Sequence, residues 1–216
     1  MRYLAIGDGL CAGIGASFLS PGFTQRHARM MEEILRERVY VTSIARSTYR
    51  SSDIYELLEE TRVKDAIKDS GIIVLSAGHQ DYIDAVNRFK ENNNETEFFQ
   101  LLKTCKSSID DIVQKIKDMK SAQNDKYMLV ILGLHNPYHD DETKEKWIKN
   151  FNRYMEFLGR KPPVYALNLH SLFKGNEEKW CTRDLLYPNN EGHRELARKI
   201  HEIGYTEIQE EAPANH

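Results

Sequence analysis

The sequence predicts a three-layer α/β/α sandwich, one parallel five-stranded sheet with helices packed on both faces. Three observations carry that expectation. Five apolar runs of strand length are spread along the 216 residues, helical apolar patterns fall between them, and neither an internal repeat nor a linker breaks the alternation. Strand and helix in alternation, joined by right-handed crossovers, give a parallel sheet. The length suits one sizeable core, so one domain is expected over residues 1–209, followed by a frayed tail over 210–216.

The first run, Tyr3 to Ile6, leads straight into the glycine-rich turn Gly7-Asp8-Gly9. The others are Val39 to Ala45, Gly71 to Ala77, Tyr127 to Leu134 and Val164 to Leu169. Each is short enough to be a strand buried on both faces. Leu102, Cys105, Ile109, Ile112, Ile116 and Met119 recur in steps of three and four and predict a helix of about four turns or more. Ile148, Phe151, Met155 and Leu158 predict another, ended before Pro162 and Pro163, and Leu196, Ala197, Ile200 and Ile203 a closing one. The polar tract from Arg88 to Glu97 reads as a loop. In an open parallel sheet the ligand site lies beyond the carboxyl ends of the strands. That rule selects Gly7-Asp8-Gly9, Arg46-Ser47-Thr48, Gly78-His79-Gln80-Asp81, His135-Asn136-Pro137-Tyr138 and the stretch from Asp184 to His193.

Composition narrows the partners. With 40% hydrophobic and 29% charged residues the chain is that of a folded soluble protein. A formal charge of -3, with basic residues scattered among acidic ones, argues against nucleic acid. No apolar run reaches the ~18 residues of a membrane span, and no secretion signal precedes the first strand, so no integral membrane contact and a cytoplasmic address are expected. Cys11, Cys105 and Cys181 fit neither a disulfide framework nor a C-x-x-C motif and read as reduced thiols.

Taken together, the segments at the strand ends resemble the sequence blocks of the SGNH or GDSL hydrolases, serine esterases and lipases on a flavodoxin-like sandwich, most of all the compact bacterial acylhydrolases. "IGDGLCAGIGA" resembles the block that ordinarily reads Gly-Asp-Ser-Leu, and "SIARSTYRSSDI" the block whose central glycine gives an oxyanion-hole amide. "SAGHQD" resembles Gly-x-Asn-Asp, "ILGLHNPYH" in the strand and Asn-Pro turn follows the compact acylhydrolases, and "DLLYPNNEGHRELA" resembles Asp-x-x-His-Pro-Asn followed by Gly-His and a helix. Carried over position by position, Gly9 stands at the nucleophilic serine, Thr48 at the oxyanion glycine, Gln80 at the oxyanion asparagine and Tyr187 at the general-base histidine. Asp184, which would orient that histidine, keeps its identity, as do Gly7, Asp8, Gly13, Gly78, Asp81, Pro188, Asn189, Gly192 and His193.

The resemblance implies an ester hydrolase needing no cofactor and no metal, and the substitutions remove its chemistry. Acyl transfer by this route requires a hydroxyl, a base and donors aimed at the developing oxyanion. Gly9 has no atom to attack with, and a phenol with a reference pKa of about 10 does not replace an imidazole near 6.5. Loss of the nucleophile alone costs on the order of a millionfold in turnover. What remains is a device for binding a protein partner or a small acyl, carboxylate or phosphate group, the latter set among the amides of Gly9 and Thr48, the Gln80 carboxamide and Asp8. Thr48 is its weak point, because a β-branched residue resists the positive φ that a glycine can supply.

Rearranged chemistry is the alternative. Cys11 lies two residues past Gly9, a step that aims a side chain elsewhere and predicts a small buried thiol. His79 and His135 follow the third and fourth strands and, with Asp184 or Asp81, form a candidate acid–base pair. His135 and His139 next to Asp140 and Asp141 have metal-ligand spacing, but Pro137 opposes the helix that would use it. Tyr187 reads as a packing and hydrogen-bonding residue, His193 as structural, and Lys144 to Lys149 as a solvated helix face.

Overall fold

A computed structural model describes residues 1–123, 125–138 and 141–209. Its sheet is built from β1 (Arg2–Gly7), β2 (Tyr40–Ala45), β3 (Ile72–Ser76), β4 (Met128–Leu132) and β5 (Val164–Leu167), all parallel, in the order β2-β1-β3-β4-β5. All five predicted strands are present within a few residues of their expected bounds. The central strands β3 and β4 are buried at every position, as a sheet covered on both faces requires, whereas the edge strand β2 is largely exposed.

The two-residue alternation of a strand divides the core in two. Leu4, Ile6, Ile73, Leu75, Leu129 and Ile131 face one layer of helices. That layer holds α2 (Ser51–Leu57), α3 (Thr61–Asp69), α4 (His79–Asn92), α5 (Glu95–Ser121) and α6 (Glu142–Leu158). Tyr3, Ala5, Ile72, Val74, Met128 and Val130 face the other way, against α1 (Phe23–Leu35), α7 (Leu169–Phe173) and α9 (Asn190–His201). A short helix, α8 (Glu177–Trp180), leads into the last loop.

The apolar positions predicted for the long helix, Leu102, Cys105, Ile109, Ile112 and Ile116, are all buried on α5. The tract from Arg88 to Glu97 is not the expected loop. α4 continues to Asn92 and α5 starts at Glu95, so only two residues intervene. Asn93 takes a left-handed φ of 50° as C-cap, and the Asn94 side chain caps the next helix by accepting from the Glu97 amide at 3.1 Å. A polar run thus encodes two helix ends rather than a span of coil. Lys144 also departs from expectation: it is buried, paired with Asp141 and set over the Tyr138 ring, so this lysine belongs to a packed corner and not to a solvated face. The segment 210–216, together with His139 and Asp140 of the metal-spaced cluster, lies outside the described residues.

The chain passes from β1 to β2 on one side and then crosses back over β1 to β3 on the other, so the strand order reverses there. The carboxyl ends of β1 and β3 therefore flank the switch point where such folds bind ligands. Gly7 closes β1 with φ +145°, and a Cβ there would run into the carbonyl of Ser76 at the end of β3. Glycine is needed here because the two strand ends approach too closely for a side chain.

Candidate active site

Asp8 organises this switch point. Its Oδ1 accepts from the Ser76 hydroxyl at 2.7 Å and the Leu10 amide at 3.1 Å, and its Oδ2 accepts from the His79 amide at 3.2 Å. One buried carboxylate thereby ties the turn after β1 to the end of β3 and the start of α4. Burial pushes its pKa up, and the three donors pull it back. A second tie joins the neighbouring blocks: Asp81 accepts from both the amide and the hydroxyl of Ser51, each at 2.8 Å.

Gly9 follows, buried, with an ordinary backbone conformation, so nothing in its φ demands glycine. Its surroundings do. A Cβ on Gly9 would sit 2.6 Å from Cε1 and 2.8 Å from the hydroxyl oxygen of Tyr187. The Tyr187 ring fills the volume that any side chain at position 9 would need. No hydrogen bond holds the phenol among the described residues, so Tyr187 packs as expected but does not bond as expected. Burial, with the charges of Asp8 and Asp184, pushes its pKa up to about 12, and at neutral pH it is a protonated phenol that takes no proton from a nucleophile.

Tyr187 lies against His79, ring centroids 4.6 Å apart, and His79 against His135 at 5.8 Å. Burial lowers both imidazoles to about 4, so both are neutral near pH 7. The Nε2–H of His135 donates to the carbonyl of Leu185 at 2.9 Å, which fixes its tautomer. His79 is different: both ring nitrogens are buried without a hydrogen bond of ordinary geometry, and the Leu186 backbone beside the ring offsets only part of the effect of burial. Among the described residues the Gly9 amide also meets no acceptor. The His79 ring borders a cavity of about 10 Å³ lined also by Asp8, Ser76, His135 and Tyr187. Such a space is at the lower limit for one water molecule.

The remaining expected site residues do not converge on it. The Gln80 amide donates to Asp84 one helical turn on, at 2.8 Å, so it is committed to the helix surface and not aimed at Gly9. Thr48 is exposed on the turn after β2, outside the left-handed region and away from the cavity lining. The foreseen backbone conflict is absent because this turn takes a course that needs no positive φ. Asp184 is exposed and caps its own loop. Its Oδ1 accepts from the Thr182 hydroxyl at 2.5 Å and the Leu186 amide at 3.1 Å, and these bonds hold its pKa low. Of the proposed set, the structure brings Asp8, Gly9 and Tyr187 together.

Cys11, the candidate replacement thiol, is buried with its pKa pushed up to about 12 by desolvation, an inert small side chain. Cys105 and Cys181 are buried free thiols too. His193 is structural as read: its Nδ1 accepts from the Phe23 amide at 3.2 Å and its Nε2–H donates to the Ile14 carbonyl at 3.0 Å. Sequence reasoning missed the role of Tyr187 as a plug. The signal was there in the paired change, since a residue with no side chain and a large ring fill one volume between them.

The switch-point site and the sandwich around it define the scaffold of an SGNH-type hydrolase. A profile of the GDSL-like Lipase/Acylhydrolase family matches residues 5–195, and the chain belongs to that family. The spore germination lipase LipC of Bacillus licheniformis is 28% identical over 209 residues, spanning 97% of this chain and 99% of LipC. The crystal structure of the lipase Lip_vut3 from a goat rumen metagenome matches with a TM-score of 0.92 at 28% identity, over 97% of this chain and 100% of the other. Axe2, an acetylxylan esterase from Geobacillus stearothermophilus, shares the fold with a TM-score of 0.69 at 14% identity, over 97% and 94% of the two chains.

Proposed function

We propose that this family member has lost serine-esterase chemistry and keeps its switch-point site as a binding device for a small acyl, carboxylate or phosphate group. The observation that carries the reading is the Tyr187 ring standing where a serine side chain on Gly9 would have to be. The binding half of the reading rests on the unpaired His79 ring beside a cavity too small for a ligand until Tyr187 turns out, and on the Gly9 amide under the Tyr187 ring, which meets no acceptor among the described residues. Because no hydrogen bond tethers the phenol, that rotation breaks packing contacts only. On this reading a single domain over residues 1–209 acts in the cytoplasm. Among the described residues no helix is long and apolar enough to cross a membrane.

The test combines an assay with a titration. With short- and medium-chain p-nitrophenyl esters, turnover should stay within about 10³-fold of the uncatalysed rate, the level that binding and oxyanion donors alone sustain. Acetate or phosphate should shift the His79 ring resonances of the wild type and bind more tightly to Tyr187→Ala. The free nitrogens of His79 favour one second reading, in which that imidazole activates water directly. Robust ester cleavage abolished by His79→Ala would select it over the first.

A further inference from the structure

The loop that leaves Gly9 ends in an apolar tip with no use in the site. Phe18 is 99% exposed and Leu19 90%, with Ile14 40% exposed at the base. Two adjacent bulky side chains held almost entirely in water are unfavourable unless something covers them. The tip has a fastened base. The Ser17 amide donates to Asn190 Oδ1 at 2.8 Å, Asn190 Nδ2 donates back to the Ser17 hydroxyl at 2.6 Å, and the Ser20 amide closes the turn on the Ser17 carbonyl at 2.8 Å. Arg26 holds the far side by donating to the Pro21 carbonyl at 2.9 Å.

The flank of the tip is basic. Arg26 and Arg29 on α1 lie near Arg194 on α9, close enough that burial first, and then the charges of Arg194 and Arg29, lower the Arg26 pKa. Arg194 is paired with Glu191, whereas among the described residues no carboxylate lies within 4.0 Å of Arg26 or Arg29.

We propose that the Phe18–Leu19 tip and its arginine flank dock this protein onto an anionic lipid surface. An aromatic side chain 99% exposed has no neighbouring surface of its own, so its occupant must close around it from every side. A bilayer interface does so, and guanidinium groups at the rim meet lipid phosphates. The same loop reaches the plug at its base, where Gly15 packs on the Tyr187 Cβ and the Pro188 carbonyl. Docking would therefore turn the switch-point rim toward the lipid. This inference does not depend on whether the site cleaves esters.

Co-sedimentation with vesicles tests it, using phosphatidylcholine alone and phosphatidylcholine mixed with phosphatidylglycerol at low ionic strength. The wild type should partition onto the mixed vesicles, and Phe18→Ser/Leu19→Ser should lower the partition coefficient about tenfold or more. Arg29→Gln should lower the preference for the anionic lipid about fivefold. Both variants change exposed side chains and should melt with the wild type. Equal binding by the wild type and the tip variant overturns the proposal, as does binding to neither vesicle. Self-association of the wild type that the tip variant abolishes assigns the tip to a protein contact instead. A large loss of thermal stability in the tip variant would show that the tip packs internally, which also defeats the proposal.

Discussion

The two sides of the switch point have been treated differently. On the Asp8 side every polar group has a partner: three donors converge on one carboxylate, and Asp81 clamps Ser51 in the same manner. On the Gly9 side contact is by packing, with a phenol bound to nothing and an imidazole whose two nitrogens are both unpaired. The first side closes the chain onto itself through hydrogen bonds, and the second is held by volume alone. A buried hydrogen-bond hub cannot be edited one residue at a time without stranding its partners. Packing contacts carry no such obligation, so side chains on the Gly9 side can be exchanged as long as their summed volume is kept.

That contrast predicts unequal responses. The largest belongs to Asp8→Ala, which leaves the Ser76 hydroxyl and the Leu10 and His79 amides buried without an acceptor. Unfolding by urea should show a loss of about 4 kcal/mol. A loss under about 1 kcal/mol would mean that the hub is not what joins β1 to β3.

Next comes pH. His79 and His135 sit at about 4 in the folded chain against 6.5 when free, so the unfolded state takes up protons first on acidification. Stability present above about pH 6.5 should therefore decline as the pH falls toward about 4, on the order of 3 kcal/mol for each residue acting alone. His27, lowered to about 3 by burial in the opposite core, adds to the same slope. Replacing His79 by Leu should flatten it, and an unchanged slope would show that His79 is already solvated.

The plug itself is a smaller effect with a diagnostic sign. Gly9→Ser alone should destabilise by about 2 kcal/mol through overpacking against Tyr187, and Gly9→Ser/Tyr187→His should recover most of that loss. Only the double variant should gain measurable esterase turnover, with Gln80→Asn as a further step. Additive effects in this cycle would dissociate the two positions. Smallest is Asp184→Ala, which removes the Thr182 and Leu186 bonds of an exposed loop. It should cost about 1 kcal/mol in thermal unfolding, with no change in the residual rate of ester hydrolysis. A drop in that rate would restore Asp184 to the chemistry.

Much of this was legible in the residues. Strand runs such as Ile72 to Ser76 are apolar at nearly every position because both faces are covered, and the steps of α5 are a helix stripe, so the sandwich could be written down in advance. Of the site, His193 was legible as structural, Cys11 as an inert thiol, and Gly9 and Tyr187 as two positions at one rim. Less legible was where each long polar side chain goes. Glutamine and asparagine carry the same carboxamide, but the extra carbon of Gln80 lets its amide reach Asp84 along the helix. Asn93 and Asn94 could have been loop or caps, and only the meeting of two helices settles it.

The sequence alone determined the layers, the strand ends that form the rim and the absence of a hydroxyl at position 9 and an imidazole at 187, because periodicity and residue identity are local properties of the chain. Only the tertiary structure decided that Tyr187 fills the space above Gly9, that His79 is left unpaired behind it, and that Phe18 and Leu19 stand clear of everything. Those facts depend on which side chains from distant segments compete for one volume, and volume is shared only once the chain has closed.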